Sequence, residues 1–154
     1  MKFTFQVLNN LRTILSTIVD NHSLEELNAV PEGFNNNIIW NIGHVVVVEQ
    51  LLIYKMSGLE PSIPNDIINK YKKDTKPEGL IDQHEVNIIQ DLLVSTLNQT
   101  KTDYDNGVFK DYNAYTVSTT GNTLTSFNEA LQFVLLHDGI HYGYILALLK
   151  AIKI

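Results

Sequence analysis

Four long stretches of the chain repeat apolar residues at the three-to-four-residue spacing of a helix. The first is predicted from about Phe3 to Val19, with Phe3, Val7, Leu11, Ile14, Leu15 and Ile18 along its apolar side. A short helix follows at Leu24 to Asn28, where Ser23 and Glu26 have capping-box spacing and Pro31-Glu32-Gly33 ends the segment. The second long helix is expected from about Asn37 to Met56 or Ser57, capped by Asn35 or Asn36 and closed by Gly58 at C′. In isolation, Val45-Val46-Val47-Val48 would favour a strand. The continuous pattern around it, stopped by Gly58 and Pro61, suits a buried helix better. The third runs from about Gln83 to Tyr104 behind Asp82, with Glu85 three residues after the cap and Val86, Ile89, Leu93, Leu97 and Tyr104 facing inward. The fourth runs from about Phe127 to Ile152, with Ser126 as N-cap and Glu129 completing a box. Leu131, Val134, Leu135, Ile145 and Leu148 mark its buried sides.

Two connections are long: Leu59 to Ile81 and Asn106 to Thr125. Pro64 can start one helical turn within the first. That link reaches up to roughly 75 Å at about 3.3 Å per residue, whereas a 20-residue helix is only about 30 Å long. It is therefore long enough to cross back over the bundle and leave the second and third long helices parallel. The second connection holds Val108, Phe109, Tyr112, Tyr115 and Val117, too apolar for a free linker, and is expected to pack over one end of the bundle. The fold class is all-α, a four-helix bundle with long crossing connections. At 154 residues the chain is read as a single domain, 1–154.

Composition removes several classes of chemistry. There is no cysteine, which excludes a disulfide scaffold, a zinc ribbon and a protein thiol nucleophile. Eleven Lys and Arg against 17 Asp and Glu give a net charge of −6, and Arg12 is the sole arginine, so no nucleic-acid footprint is expected. The lysines at 70, 72, 73 and 76 are interrupted by Asp74 and Glu78 and read as a solvated loop. The N-terminus lacks the apolar core of a signal peptide. The apolar stretch Ile38 to Tyr54 is broken by Asn41, His44, Glu49 and Gln50, so no membrane span is expected and a cytoplasmic location is the default.

Five histidines carry the candidate chemistry. His137 and His141 are four apart on one face of the fourth helix, so their imidazoles can converge on one cation. A third ligand must come from another element. His44, inside a very apolar helix, is the natural candidate. Three neutral imidazoles suit a divalent transition metal and leave a position open for water or substrate. The competing reading is that these are hydrogen-bonded core histidines with no metal. His22 and His84, in polar surroundings at helix edges, are expected to be exposed. Asn41, three residues before His44, is placed to touch the site or its substrate, or to be a polar core contact. Trp40 either walls the site or fills the core. Glu49 is about 140° around the helix from His44 and is a poor ligand. Gly139 and Gly143 are read chiefly as room for helix packing.

The stretch Ile39-Trp40-Asn41-Ile42-Gly43-His44 followed by Glu49, together with Leu136-His137-Asp138-Gly139-Ile140-His141-Tyr142-Gly143, resembles the DinB-like four-helix-bundle family over essentially the whole chain. The resemblance implies a bundle with crossing connections, often a homodimer, and a three-histidine metal centre whose positions fall on His44, His137 and His141. Family members of known activity include metal-dependent transferases that add a low-molecular-weight thiol to an electrophile, and an isomerase of a thiol adduct. Zinc or nickel is the expected metal and a small molecule, such as a low-molecular-weight thiol, the expected partner. Tyr144 stands where family members often carry Gln, which changes the expected lining of the pocket. The leading expectation is a metal-binding protein, and specifically a metalloenzyme of thiol S-transferase type. The alternative is a non-catalytic metal- or small-ligand-binding bundle.

Overall fold

The computed structural model describes residues 1–152. Its long helices are α1 (Lys2–Asp20), α3 (Ile38–Ile53), α5 (Gln83–Asp105) and α6 (Phe127–Ala151). The short helices α2 (Leu24–Asn28) and α4 (Asn65–Tyr71) lie in the connections, and a two-residue antiparallel pair, β1 (Tyr115–Thr116) and β2 (Thr123–Leu124), lies in the last one. Around the bundle α1 packs on α5 and α6, and α3 packs on the same two.

Side-chain pairings give the helix directions. Phe5 meets Tyr104, Arg12 meets Thr96 and Asp20 meets Gln90, so α1 and α5 are antiparallel. Glu49 meets Thr96 and Thr100, and Tyr54 meets Asp103, so α3 and α5 run parallel. The link between them crosses back along the bundle, as its length allows. It is pinned where Ser62 donates to the buried Gln50 carboxamide oxygen, where the Tyr71 hydroxyl donates to Glu85, and where Asn28 exchanges two hydrogen bonds with the backbone of Ile81.

The helix starts follow local chemistry. Ser23 and Glu26 form a complete capping box. α3 is capped by Asn37, whose side chain accepts from Trp40 N at 2.9 Å, one or two residues later than expected. Asp82 and Ser126 cap α5 and α6 as expected. Glu85 turns away from its cap to Tyr71 and Lys70, whereas Glu129 accepts chiefly from the Thr125 backbone N–H and hydroxyl and also from Ser126. The α-helical part of α3 ends at Ile53. One tight 3-10 turn (Lys55–Ser57) then leads to Gly58 in the left-handed conformation, φ 73°, which glycine adopts without steric cost.

α3 is the central helix, with nearly every residue buried, and its valines are helical because neighbouring helices cover Val45, Val46 and Val47 while Val48 is half-buried on the cavity side. By length and composition Ile38–Ser57 could cross a membrane, but it is mostly buried inside the bundle, as a core helix is. The buried side of α1 differs from the expected stripe. Leu15 and Ile18 are buried as expected, and Phe5, Leu8, Arg12 and Val19 join them, while Phe3 is 75% and Ile14 44% exposed. The three-to-four-residue period survives, with Arg12 occupying a core position. Gly139 and Gly143, expected to accommodate helix packing, face open space within the chain.

The core has two apolar ends separated by a polar layer. One gathers Leu15, Ile42, Ile89 and Leu148 among others; the other gathers Phe5, Leu8, Leu97 and Leu131. The hairpin connection packs over the second end through Val117 and Leu124, with Phe109 stacked on Phe127. Between the ends lies Arg12, 1% exposed, which donates to Glu49 (2.7 Å) and Asp138 (3.1 Å) and to the Leu93 carbonyl. Burial works against the guanidinium charge, but the two carboxylates outweigh it and its pKa is raised. Thr96 and Thr100 complete the contacts of Glu49.

Candidate functional site

Beside that polar layer, the interface of α3 and α6 brings together His44, His137 and His141. Each offers one ring nitrogen, and these nitrogens lie within 4.8 Å of one another. The i, i+4 spacing aligns the two α6 histidines, and α3 passes antiparallel to α6 so that His44 faces both.

Two of the rings are fixed by hydrogen bonds. His44 Nδ1 is 2.7 Å from the carbonyl oxygen of Tyr71, the last residue of α4. That carbonyl is one of the acceptors a helix end leaves unpaired. His141 Nδ1 is 2.8 Å from Asn41 Oδ1, while the Asn41 amide nitrogen donates to the Asn37 carbonyl at 2.7 Å and to Asn36. Those donations orient the carboxamide with its oxygen toward His141. Both Nδ1 atoms therefore carry hydrogen, and both Nε2 atoms keep lone pairs for a ligand.

Burial lowers the pKa of His44 to about 4, against its bond to the Tyr71 carbonyl, and that of His141 to about 3, with the neighbouring histidines adding to the shift. Both rings are neutral at pH 7. Among the described residues His137 Nδ1 is buried with no hydrogen bond, and Asp138 Oδ1, 3.8 Å away, is equally unpartnered. Three imidazoles, two held neutral with their free nitrogens unprotonated and one with an orphaned buried nitrogen, fit a divalent transition metal.

Trp40 is buried and stacks on His44, ring centroids 4.8 Å apart and planes 12° apart, so it backs the site and belongs to the core at once. Gly43 makes room for Tyr71: a Cβ at position 43 would lie 2.6 Å from the Tyr71 ring. Tyr144 packs edge-on against Phe34 and does not line the cavity above the histidines. Glu49 points into the polar layer. His84 is exposed, as expected; His22 is half-buried, its Nδ1 2.7 Å from the Ile18 carbonyl.

The histidines form the floor of a cavity of about 370 Å³. Its walls include Val48, Leu51, Leu52 and Phe133, and its mouth is bordered by Lys55, Lys73 and the hairpin residues Ser118 and Thr119. This size suits a small organic molecule. Sequence reasoning did not place Tyr71, Lys55, Lys73 or the hairpin at the site. Only Gly43 carried a signal, since a glycine inside a helix can allow a close approach, as it does here but not at Gly139 or Gly143. A family model, that of the DinB superfamily, matches residues 8–145. A search of the curated proteins finds no match to the chain.

Proposed function

The chain belongs to the DinB superfamily, and from that premise we propose that His44, His137 and His141 hold a divalent transition metal, zinc or nickel, at the floor of a small-molecule cavity. The observation that carries this reading is the convergence of three imidazoles, two of them kept neutral by burial and by hydrogen bonds at Nδ1. The proposal extends to catalysis: a cytoplasmic metalloenzyme, working as a homodimer, similar to transferases that join a low-molecular-weight thiol to an electrophile.

When bound, such a metal lowers the pKa of a coordinated thiol and stabilises the thiolate. The chain's own residues supply the setting. Tyr71 and Asn41 keep the His44 and His141 rings oriented with Nε2 free. Leu51, Leu52 and Phe133 shield an apolar electrophile from water. Because the chain has no cysteine, the thiol must enter from outside. The apolar outer face of α6, where Leu136 and Leu146 are exposed beside Gly139 and Gly143 and next to Ile140 on the cavity edge, supports the dimer.

One observation favours a second reading, a binding protein without catalysis. Among the described residues no carboxylate lines the cavity, so it has no carboxylate base. Metal analysis of untagged protein tests the centre. We expect about one zinc or nickel per chain, lost in His137→Ala and kept in His84→Ala. Protein that stays metal-free after incubation with either ion rejects the centre. Conjugation of an electrophile with a panel of small thiols tests catalysis. A rate insensitive to chelation and to His44→Ala rejects the enzyme and leaves the binding protein.

A further inference from the structure

We propose that the cavity above the histidines selects a small organic anion: a molecule with an apolar body, which the walls take up, and a carboxylate tail, which Lys55 and Lys73 hold at the mouth. The inference rests on the metal-centre reading only for what the other end of the ligand meets.

The charge pattern carries it. The chain has 17 acidic residues against 11 basic ones, yet the described residues lining this cavity include two lysines and no Asp or Glu. The local sign is opposite to that of the whole molecule. A cleft with one sign of charge and low-dielectric walls concentrates ligands of the opposite sign. Ser118 and Thr119 add hydroxyl donors at the same rim.

The two lysines reach the mouth from separate segments, each fixed by its own turn. Lys55 opens the tight turn between α3 and Gly58, and no acidic partner is found for it among the described residues. Lys73 lies in the turn that follows α4. The Thr75 hydroxyl closes that turn by donating to the carbonyls of Lys70 (2.9 Å) and Lys72 (2.7 Å). Lys73 pairs with Asp74 at 3.4 Å, and both side chains of that pair are exposed. Such a pair is worth little and is readily exchanged for a ligand carboxylate. Both lysines are exposed while His44 and His137 are buried, so the lysines are placed to read the outer end of a ligand anchored at the floor.

The test uses cobalt-loaded full-length protein, whose visible spectrum reports metal and thiolate together. It is titrated with mercaptohexanoate and with its neutral counterpart mercaptohexanol. At low salt the carboxylate is expected to bind about five- to tenfold more tightly, and added salt to shrink the difference. Lys55→Gln combined with Lys73→Gln should bring the ratio to about twofold or less without changing cobalt uptake, whereas Lys76→Gln should leave it as in the wild type. Equal affinities in the wild type, or a preference that survives the double substitution, overturn the proposal while cobalt binding upholds the metal centre. If cobalt does not bind, the metal centre fails. The anion preference is then judged on metal-free protein with hexanoate and hexanol, where the same lysine-dependent ratio sustains it and equal or absent binding overturns it.

Discussion

The ring of Tyr71 rests against the bare Cα of Gly43, in space that a methyl group at position 43 would invade to within 2.6 Å. The close approach brings α4 down onto α3 and delivers the Tyr71 carbonyl to Nδ1 of His44, the residue after the glycine. Gly43→Ala should therefore displace α4, destabilise the fold by roughly 1–3 kcal/mol through overpacking, and weaken metal binding about tenfold or more by freeing the His44 ring. Tyr71→Phe keeps the ring and the carbonyl and loses only the hydroxyl bond to Glu85. It should hold metal almost as well as the wild type. Chemical denaturation and competitive metal titration of both variants check this.

Asn41 offers a way to disturb the second oriented ring without removing a ligand. Asn41→Ala leaves His141 Nδ1 with no acceptor and should lower metal affinity about 10- to 100-fold. Asn41→Asp restores an acceptor and should recover much of the loss. Equal losses in both variants would show that Asn41 acts on folding alone.

Arg12 is the hinge of the polar layer. Its removal in Arg12→Ala leaves Glu49 and Asp138 buried without their cation and should cost about 3–5 kcal/mol. Arg12→Met, which restores apolar volume but no charge, should not recover the stability as long as both carboxylates stay. Urea midpoints at constant slope decide the matter. A loss under about 1 kcal/mol would mean that the buried network contributes little.

The histidine pKa values set the acid stability of the metal-free protein. An ordinary histidine titrates near 6.5, while burial holds His44 near 4 and His141 near 3. As pH falls from 6.5 toward 4 the unfolded chain takes up protons that the folded chain refuses, so stability falls with pH, and the effect levels off once the folded histidines also protonate. Thermal midpoints of metal-free protein should decline over that interval, with a shallower decline in His44→Gln combined with His141→Gln. Identical slopes in the two proteins would refute the assignment.

How much of this was legible in the sequence depends on how local each cause is. The helices, the caps at Asp82 and Ser126 and the stop at Gly58 each depend on residues a few positions apart, and they were readable. On α1, Leu15 and Ile18 are buried as the pattern predicts, but the core position of Arg12 has no apolar signature in the sequence. Arg12 can be buried only because residues 37 and 126 positions away neutralise it. The histidines were legible because two of them share a helix face and the third interrupts an apolar helix. Tyr144 carries no such local signal, and its ring packs against Phe34.

By itself the sequence determined an all-α bundle, its long connections and three histidines able to meet. Periodicity, capping and i, i+4 spacing are short-range and survive without a fold. Only the tertiary structure decided which way α4 presents its last carbonyl, which carboxylates face Arg12, and that two lysines and, among the described residues, no acid border the cavity. Those relations join segments far apart in the chain, and their energies exist only once burial has removed water from between the partners.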